Sequence, residues 1–523
     1  MAKLSKNTKT IIIAAAVLLV LGIVCLVLVM TEPKPDDGTT SEATSEAMSS
    51  ESATVALTSK SGTEVLSLTI TNEHGSYTFN RDVRAVSSTD SEGNVSTTDE
   101  YYWVSPEMGE LRPNDTTLKA FMNRIAGLTA NKLVEENAQD LDKYGLAEPL
   151  ATAKLSFADG ASEILHFGIN NPASENFVYC CKDGSKDVYQ VSEYSVGDVY
   201  SAITEYVSLT FTDGYDPEAP KELDYMVVER KDFDEPVEIS YMFDIQEEAE
   251  DINSVITTFN SHRVTSPLVA EVDSTKGQTY CYGLYALTAS YCVAVEADEE
   301  LLAKTGLDDP FCTVTFKYGG KRNILYLGDE IVTTIETDNE GTPTLTEVVG
   351  YYGMLEGNSG VYAFSKDAAP WYTTSLEDIV SRRPVSPYIY TIDKLTITTP
   401  EREYLFTVTG NAEKNSFTLD GTELNGDKFR QLYQQLISAV GDELYLTDGE
   451  YEPYITVKFE YRDEYHEVYR TESDVLEFYQ TDERKNIVRV NGKVLFKVRQ
   501  IYTDRLLENI DALINGGELQ LNW

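Results

Sequence analysis

The sequence predicts an α+β fold: one N-terminal transmembrane helix, then three tandem repeats of an antiparallel β-meander flanked by helices. Three observations carry this. A glycine is followed four residues later by a proline, with an acid just before the proline, at Gly145-Leu-Ala-Glu-Pro149, Gly306-Leu-Asp-Asp-Pro310 and Gly449-Glu-Tyr-Glu-Pro453. Each turn continues Pro-x-x-Thr into an alternating run, at Thr152–Phe157, Thr313–Tyr318 and Thr456–Tyr461. A period of about 150 residues means copies of a domain-sized unit. Finally, Ile11 to Met30 is an unbroken apolar stretch, long enough to cross a bilayer as a helix.

From the N-terminus, Lys3, Lys6 and Lys9 precede the apolar stretch, while Glu32, Asp36 and Asp37 follow it. Lysines on the short leading side keep that end in the cytoplasm and place everything after residue 30 outside the cell membrane. A cleaved signal peptide is the competing reading, but its apolar core would be shorter and would end at small residues. Leu26 to Met30 instead runs straight into Thr31-Glu-Pro33, which favours residues 1–30 as an uncleaved signal-anchor. Val24 before Cys25 argues against a lipoprotein site, where a small residue is expected. Residues 31–60 begin rich in Ser, Thr, Glu and Ala. They bury too little apolar surface to fold and read as a flexible linker. The repeats then occupy 61–212, 213–385 and, in divergent form, 386–523.

Each repeat opens with a predicted hairpin. Its first strand is Val65–Ile70, Leu223–Glu229 or Leu395–Thr398, and its second is Ser76–Phe79, Val237–Tyr241 or Tyr404–Val408. A helix follows, marked by Leu118, Phe121, Met122, Ile125 and Leu128, by Ile252, Val255, Ile256 and Phe259, and by Phe429, Leu432, Tyr433, Leu436, Ile437 and Val440. Asp251 and Asp427 are the expected N-caps of the last two. A short acidic segment, Glu135–Tyr144 or Glu296–Thr305, leads into the turn. There glycine closes a helix in the left-handed conformation, and proline stops it and extends the chain. Gly145, Pro149, Gly306, Pro310, Gly449 and Pro453 are therefore read as structural turn residues. A meander follows, in which Leu165–Gly168 corresponds to Leu325–Gly328 and Val188–Ser192 to Val361–Ser365. The third copy keeps strands at Val475–Tyr479, Ile487–Val490 and Val494–Val498 but loses both signatures. A closing helix is expected at Val196–Ile203, Tyr372–Val380 and Tyr502–Ile514.

Composition excludes more than it assigns. A formal charge of −45 repels phosphate backbones and argues against nucleic-acid binding. The four histidines, His74, His166, His262 and His466, are scattered, and neither H-E-x-x-H nor paired Cys-x-x-Cys is present. His166, between Leu165 and Phe167, reads as a surface histidine. No G-x-S-x-G elbow or P-loop occurs. Asp90–Asn94 resembles a calcium loop only faintly and reads as a polar hairpin loop. Cys180, Cys181, Cys281, Cys292 and Cys312 are an odd set outside the anchor. Cys281 with Cys292 is one pairing an outside address would permit, small buried hydrophobes are the other reading, and Cys180 and Cys181 must face opposite ways. No catalytic, cofactor or metal residue is assigned.

The turns Lys143–Pro149 and Lys304–Pro310, with the L-x-[FL]-G strands that follow, resemble the bacterial domain-of-unknown-function family 4340. The resemblance covers most of the chain after residue 60 and is weaker in the third copy, where Glu450 follows Gly449. It implies the repeated unit, an N-terminal membrane anchor and, for some members, association with ABC-type export systems of the gliding-motility kind. It implies no catalytic residues. The expectation is a non-enzymatic, extracytoplasmic accessory or scaffold subunit of an ABC-type transport system, with an ABC permease or another envelope protein as partner. The alternatives are a multivalent module binding a cell-envelope polymer or carbohydrate, and a carboxylate-based hydrolase.

Overall fold

Three large sheets, each antiparallel throughout, are built with one strand order. The computed structural model describes residues 54–522 except 90–94, 216–222, 243–261, 274, 276, 336–344, 384, 412–413, 442, 445–448, 450–451 and 482. The expected membrane span Ile11–Met30, most of the linker, the helix at Ile252–Phe259 with its Asp251 cap, and the Asp90–Asn94 loop lie outside the described residues. Among the described residues no helix is long and apolar enough to cross a membrane.

In the first sheet the strands lie side by side as Val95–Val104, Gly75–Thr89, Val65–Asn72, Ala151–Phe157, Ser162–Asn171, Ser174–Lys182, Val188–Ser192 and Lys132–Glu135. The repeat's opening strand thus lies inside the sheet, between its hairpin partner and the strand launched by the Gly-Pro turn. The second sheet repeats this around Leu223–Arg230 and Cys312–Tyr318, and the third around Ile392–Thr398 and Ile455–Tyr461.

Alternation explains most of these strands, since side chains on a strand point to opposite faces. Ala151, Ala153, Leu155 and Phe157 point into the core, as do Ile455, Val457, Phe459 and Tyr461. The opening strands break the alternation once, at the same place in every copy. Pairing slips by one residue between Val65 and Ser67, between Leu223 and Tyr225, and between Ile392 and Lys394. This bulge turns both Val65 and Leu68 inward, and likewise Leu223 with Met226 and Ile392 with Leu395. A strict period of two does not foresee it.

The first predicted helix forms at Asp115–Ala126 and buries Leu118, Phe121, Met122 and Ile125. The third forms at Gly426–Ile437 and buries Phe429, Leu432, Tyr433, Leu436 and Ile437. Its N-cap is Asn425 rather than Asp427: the Asn425 side chain accepts from the Lys428 amide at 3.0 Å, and Asp427 sits in the first turn. Val440 lies beyond the helix and is exposed. The closing helix is continuous only in the third copy, Gln500–Asn515, where Ile514 turns to solvent. In the first copy it breaks into Glu193–Val196, Gly197–Tyr200 and Ile203–Tyr206, and in the second into Pro370–Tyr372 and Leu376–Ile379. The extended backbone of Ser201 and Ala202 interrupts one, and Thr373 to Ser375 separates the two pieces of the other.

The residues from Ala53 onward form one compact unit, and one apolar core runs through all three sheets. All five described cysteines are buried and free, so Cys281 and Cys292 form no disulfide. Cys281 sits in the Gln278–Tyr282 helix, whereas Cys292 lies on the Tyr291–Ala294 strand with its thiol 3.3 Å from the Ala294 carbonyl. Burial raises the pKa of both thiols, that of Cys292 to about 11. Cys180 joins the main core, and Cys181 joins a smaller cluster with Tyr144, Tyr179 and Val188. Adjacent residues on a strand must divide in this way.

Candidate functional site

The residues that mark the repeat come together in space. Gly145 and Gly306 both adopt the left-handed conformation, at φ 66° and 68°, and cap the short helices Asp142–Tyr144 and Glu299–Thr305. An L side chain resists that backbone, whereas glycine takes it freely. Each turn rests against the L-x-[FL]-G strand of its own repeat. A Cβ on Gly168 would overlap the Tyr144 carbonyl oxygen, and one on Gly328 would overlap that of Thr305. In the reverse direction, a Cβ on Gly145 would lie 2.9 Å from Ile169 Cγ2, and one on Gly306 would meet the Asp329 side chain. Two glycines, one per motif, let two backbones touch. Strand pairing slips just after Phe167 and just after Leu327, so the strand bends away at the contact.

The third copy solves the same junction differently. Counted from the turn proline, Ala151 faces Phe167, Cys312 faces Leu327 and Ile455 faces Phe478. The next residue is therefore Gly168, Gly328 or Tyr479. Tyr479 is buried with Ile487 and Val494, and the strand pairing runs on through it without a slip. The Arg489 guanidinium lies 5.5 Å from the Tyr479 ring and donates to the Gly449 carbonyl at 2.8 Å. A ring and a guanidinium thus replace the back-to-back glycines. Of the turn acids, Asp309 pairs with Lys231 at 2.7 Å, and the same ammonium donates to the Asp309 carbonyl. Glu148 is exposed.

A second cluster joins the second and third sheets. Arg263, on His262–Ser266, forms an ion pair with Asp474, on Ser473–Gln480. Both side chains are almost wholly removed from water, at 3% and 0% exposure. Tyr461 donates to the same carboxylate, Asn491 donates to it at 2.8 Å, and the Tyr469 ring lies 5.3 Å from the guanidinium. Burial opposes the Arg263 charge, but the Asp474 carboxylate and the Tyr461 hydroxyl together outweigh it and raise the pKa. Arg263 is therefore held as a cation. Arg470 with Glu238 and Lys493 with Glu235 add exposed pairs across the same junction. The neighbouring His262 lies between the Tyr241 and Tyr282 rings, where burial lowers its pKa to about 3 and keeps it neutral.

Catalytic constellations are sparse. Thr152 Oγ1 is 3.2 Å from His166 Nδ1, and His166 Nε2 is 3.0 Å from Asp183 Oδ1. This hydroxyl–imidazole–carboxylate chain runs across two neighbouring strands to the residue just past the end of a third, with the Asp183 side chain 62% exposed. A nucleophile needs a base held in a water-poor site beside donors for the developing charge. Here the His166–Asp183 bond is open to solvent and the Thr152–His166 bond is only part-buried, so His166 sits half-buried at the sheet face rather than fully on the surface. No three His, Cys, Asp or Glu residues are grouped to hold a metal ion among the described residues.

The glycine junctions fall within the matched part of a known family. The sequence matches the family described as Domain of unknown function (DUF4340) over residues 103–207 and 263–455, together more than half of the chain. The chain belongs to the DUF4340 family. The first DUF4340 match contains the Gly145–Gly168 junction and the second contains the Gly306–Gly328 junction. The DUF4340 match ends at Ile455, before Tyr479 and Asp474. No curated protein and no solved structure matches the sequence.

Proposed function

We propose that this chain is a non-enzymatic, extracytoplasmic, membrane-anchored envelope protein, acting as an accessory or scaffold subunit of an ABC-type transport system. One observation carries the reading: the residues that mark the family pack backbone against backbone and supply no reactive group. The apolar Ile11–Met30 segment with its preceding lysines supports the membrane address. The buried Arg263–Asp474 pair supports a scaffold role, because it fixes one sheet on another. Chemical crosslinking of the full chain in intact membranes tests the proposal. The expected result is recovery of an ABC permease or its ATPase. Recovery of no membrane-protein partner under several crosslinkers of different length would overturn it.

A further inference from the structure

We propose that the cleft between the first and second sheets binds a short, neutral saccharide. The cleft holds about 930 Å³, within the size range of small-molecule sites. One wall comes from the end of the Val95–Val104 strand and the segment leading into the Asp115–Ala126 helix. The other comes from Ser208 to Thr210 and Thr288. Main-chain bridges tie Pro113 to Val207 and Thr210 to Thr288, so the walls are fixed before any ligand arrives.

The lining indicates the ligand class. Arg84 and Arg112 bring donors, Glu110 and Asp115 bring acceptors, and Thr210 and Thr288 bring hydroxyls. A ligand rich in hydroxyl groups, each able to donate and accept, satisfies such a mixed wall. A cation would meet two guanidiniums. An anion would meet two carboxylates within a molecule of charge −45. A neutral polyol avoids both penalties. Tyr102 supplies a half-exposed ring at the wall, its hydroxyl fixed on Asp82 at 3.0 Å. Arg84 is held against that ring and paired with Glu100 at 2.8 Å. Arg112, by contrast, makes no hydrogen bond or ion pair through its side chain among the described residues, although acids outnumber bases 87 to 42 in this chain. Beneath them Trp103 is buried, and its indole N–H has no acceptor among the described residues. An indole at the cleft wall also provides a fluorescence reporter.

The inference goes beyond the scaffold reading and is tested separately from it. The full chain is titrated with chitobiose, cellobiose and maltose, following tryptophan fluorescence and calorimetric heat. Saturable binding of at least one disaccharide is expected. Arg112→Ala should weaken it at least tenfold with an unchanged melting temperature, because that side chain is exposed and unpaired. Thr288→Trp, which fills the cleft from an exposed position, should abolish it. No saturable binding of any of the three sugars at millimolar concentration would overturn the proposal. So would binding that Arg112→Ala leaves intact, which keeps the test decisive even if Thr288→Trp fails to fold. The crosslinking result stands or falls independently of either outcome.

Discussion

The first two repeats and the third reach one strand order by different packing. In the first two, the turn and the strand behind it meet through paired glycines, Gly145 with Gly168 and Gly306 with Gly328. In the third, Tyr479 and Arg489 fill that space. The difference extends to a second position. Leu155 faces Glu163, Phe316 faces Asn323 and Phe459 faces Asp474. Glu163 is half-exposed and pairs with Lys182 at 3.2 Å, and Asn323 donates to the Lys321 carbonyl. Asp474, at the equivalent place, is buried under Arg263 from the preceding sheet. One register position is thus a surface site in two copies and an inter-sheet lock in the third. The third repeat departs from the common turn chemistry and gains a neighbour on another face.

Breaking the lock should have the largest effect. Asp474→Ala leaves the Arg263 charge buried and uncompensated, and stability should fall by ~3–5 kcal/mol in urea unfolding. A loss below about 1 kcal/mol would show that water reaches the site. Gly328→Ala comes next. Its methyl overlaps the Thr305 carbonyl, and forced overpacking costs about 3 kcal/mol, while alanine at Asn323 should be nearly silent. Gly145→Val should cost about 2 kcal/mol, since a β-branched residue is strained at positive φ. An unchanged melting temperature would remove the helix-stop account of the turn. Arg489→Ala should cost about 1 kcal/mol, the worth of one hydrogen bond in the third copy's substitute junction. His166→Ala should stay within about 0.5 kcal/mol, as surface changes do. A larger loss would show that the Thr152–His166–Asp183 chain holds the sheet together.

Much of this fold is legible in the sequence because its strands alternate. Val457, Phe459 and Tyr461, spaced two apart, announce a buried face by their pattern alone. The opening-strand bulge is not legible, because Val65 and Leu68 are three apart and satisfy no simple strand period. The closing helix misleads for a similar reason. Val196, Val199 and Ile203 keep helical spacing, yet the chain divides them among three short helical pieces, the last set apart by the extended Ser201 and Ala202. The signature glycines are legible as a mark but not as a contact, since Gly145 and Gly168 meet only once the sheet has folded. The clue lies in the third copy, where the turn keeps Gly449 but Glu450 replaces the leucine after it, and Tyr479 stands where the strand glycine would be. Asp474 carries no local signal. Among 87 acids, only the placement of one sheet on another singles it out.

The buried cysteines give the comparison a built-in clock. Cys180 and Cys181 lie in the first sheet, Cys292 and Cys312 are on strands of the second, and Cys281 is in a helix beside it. The third sheet has none. With each of these five described thiols hidden and its pKa raised, an alkylating reagent can mark these positions only when the local structure opens. Timed labelling read by mass spectrometry would then rank the opening of the two glycine-built repeats, while a cysteine placed at Val488 would report on the third.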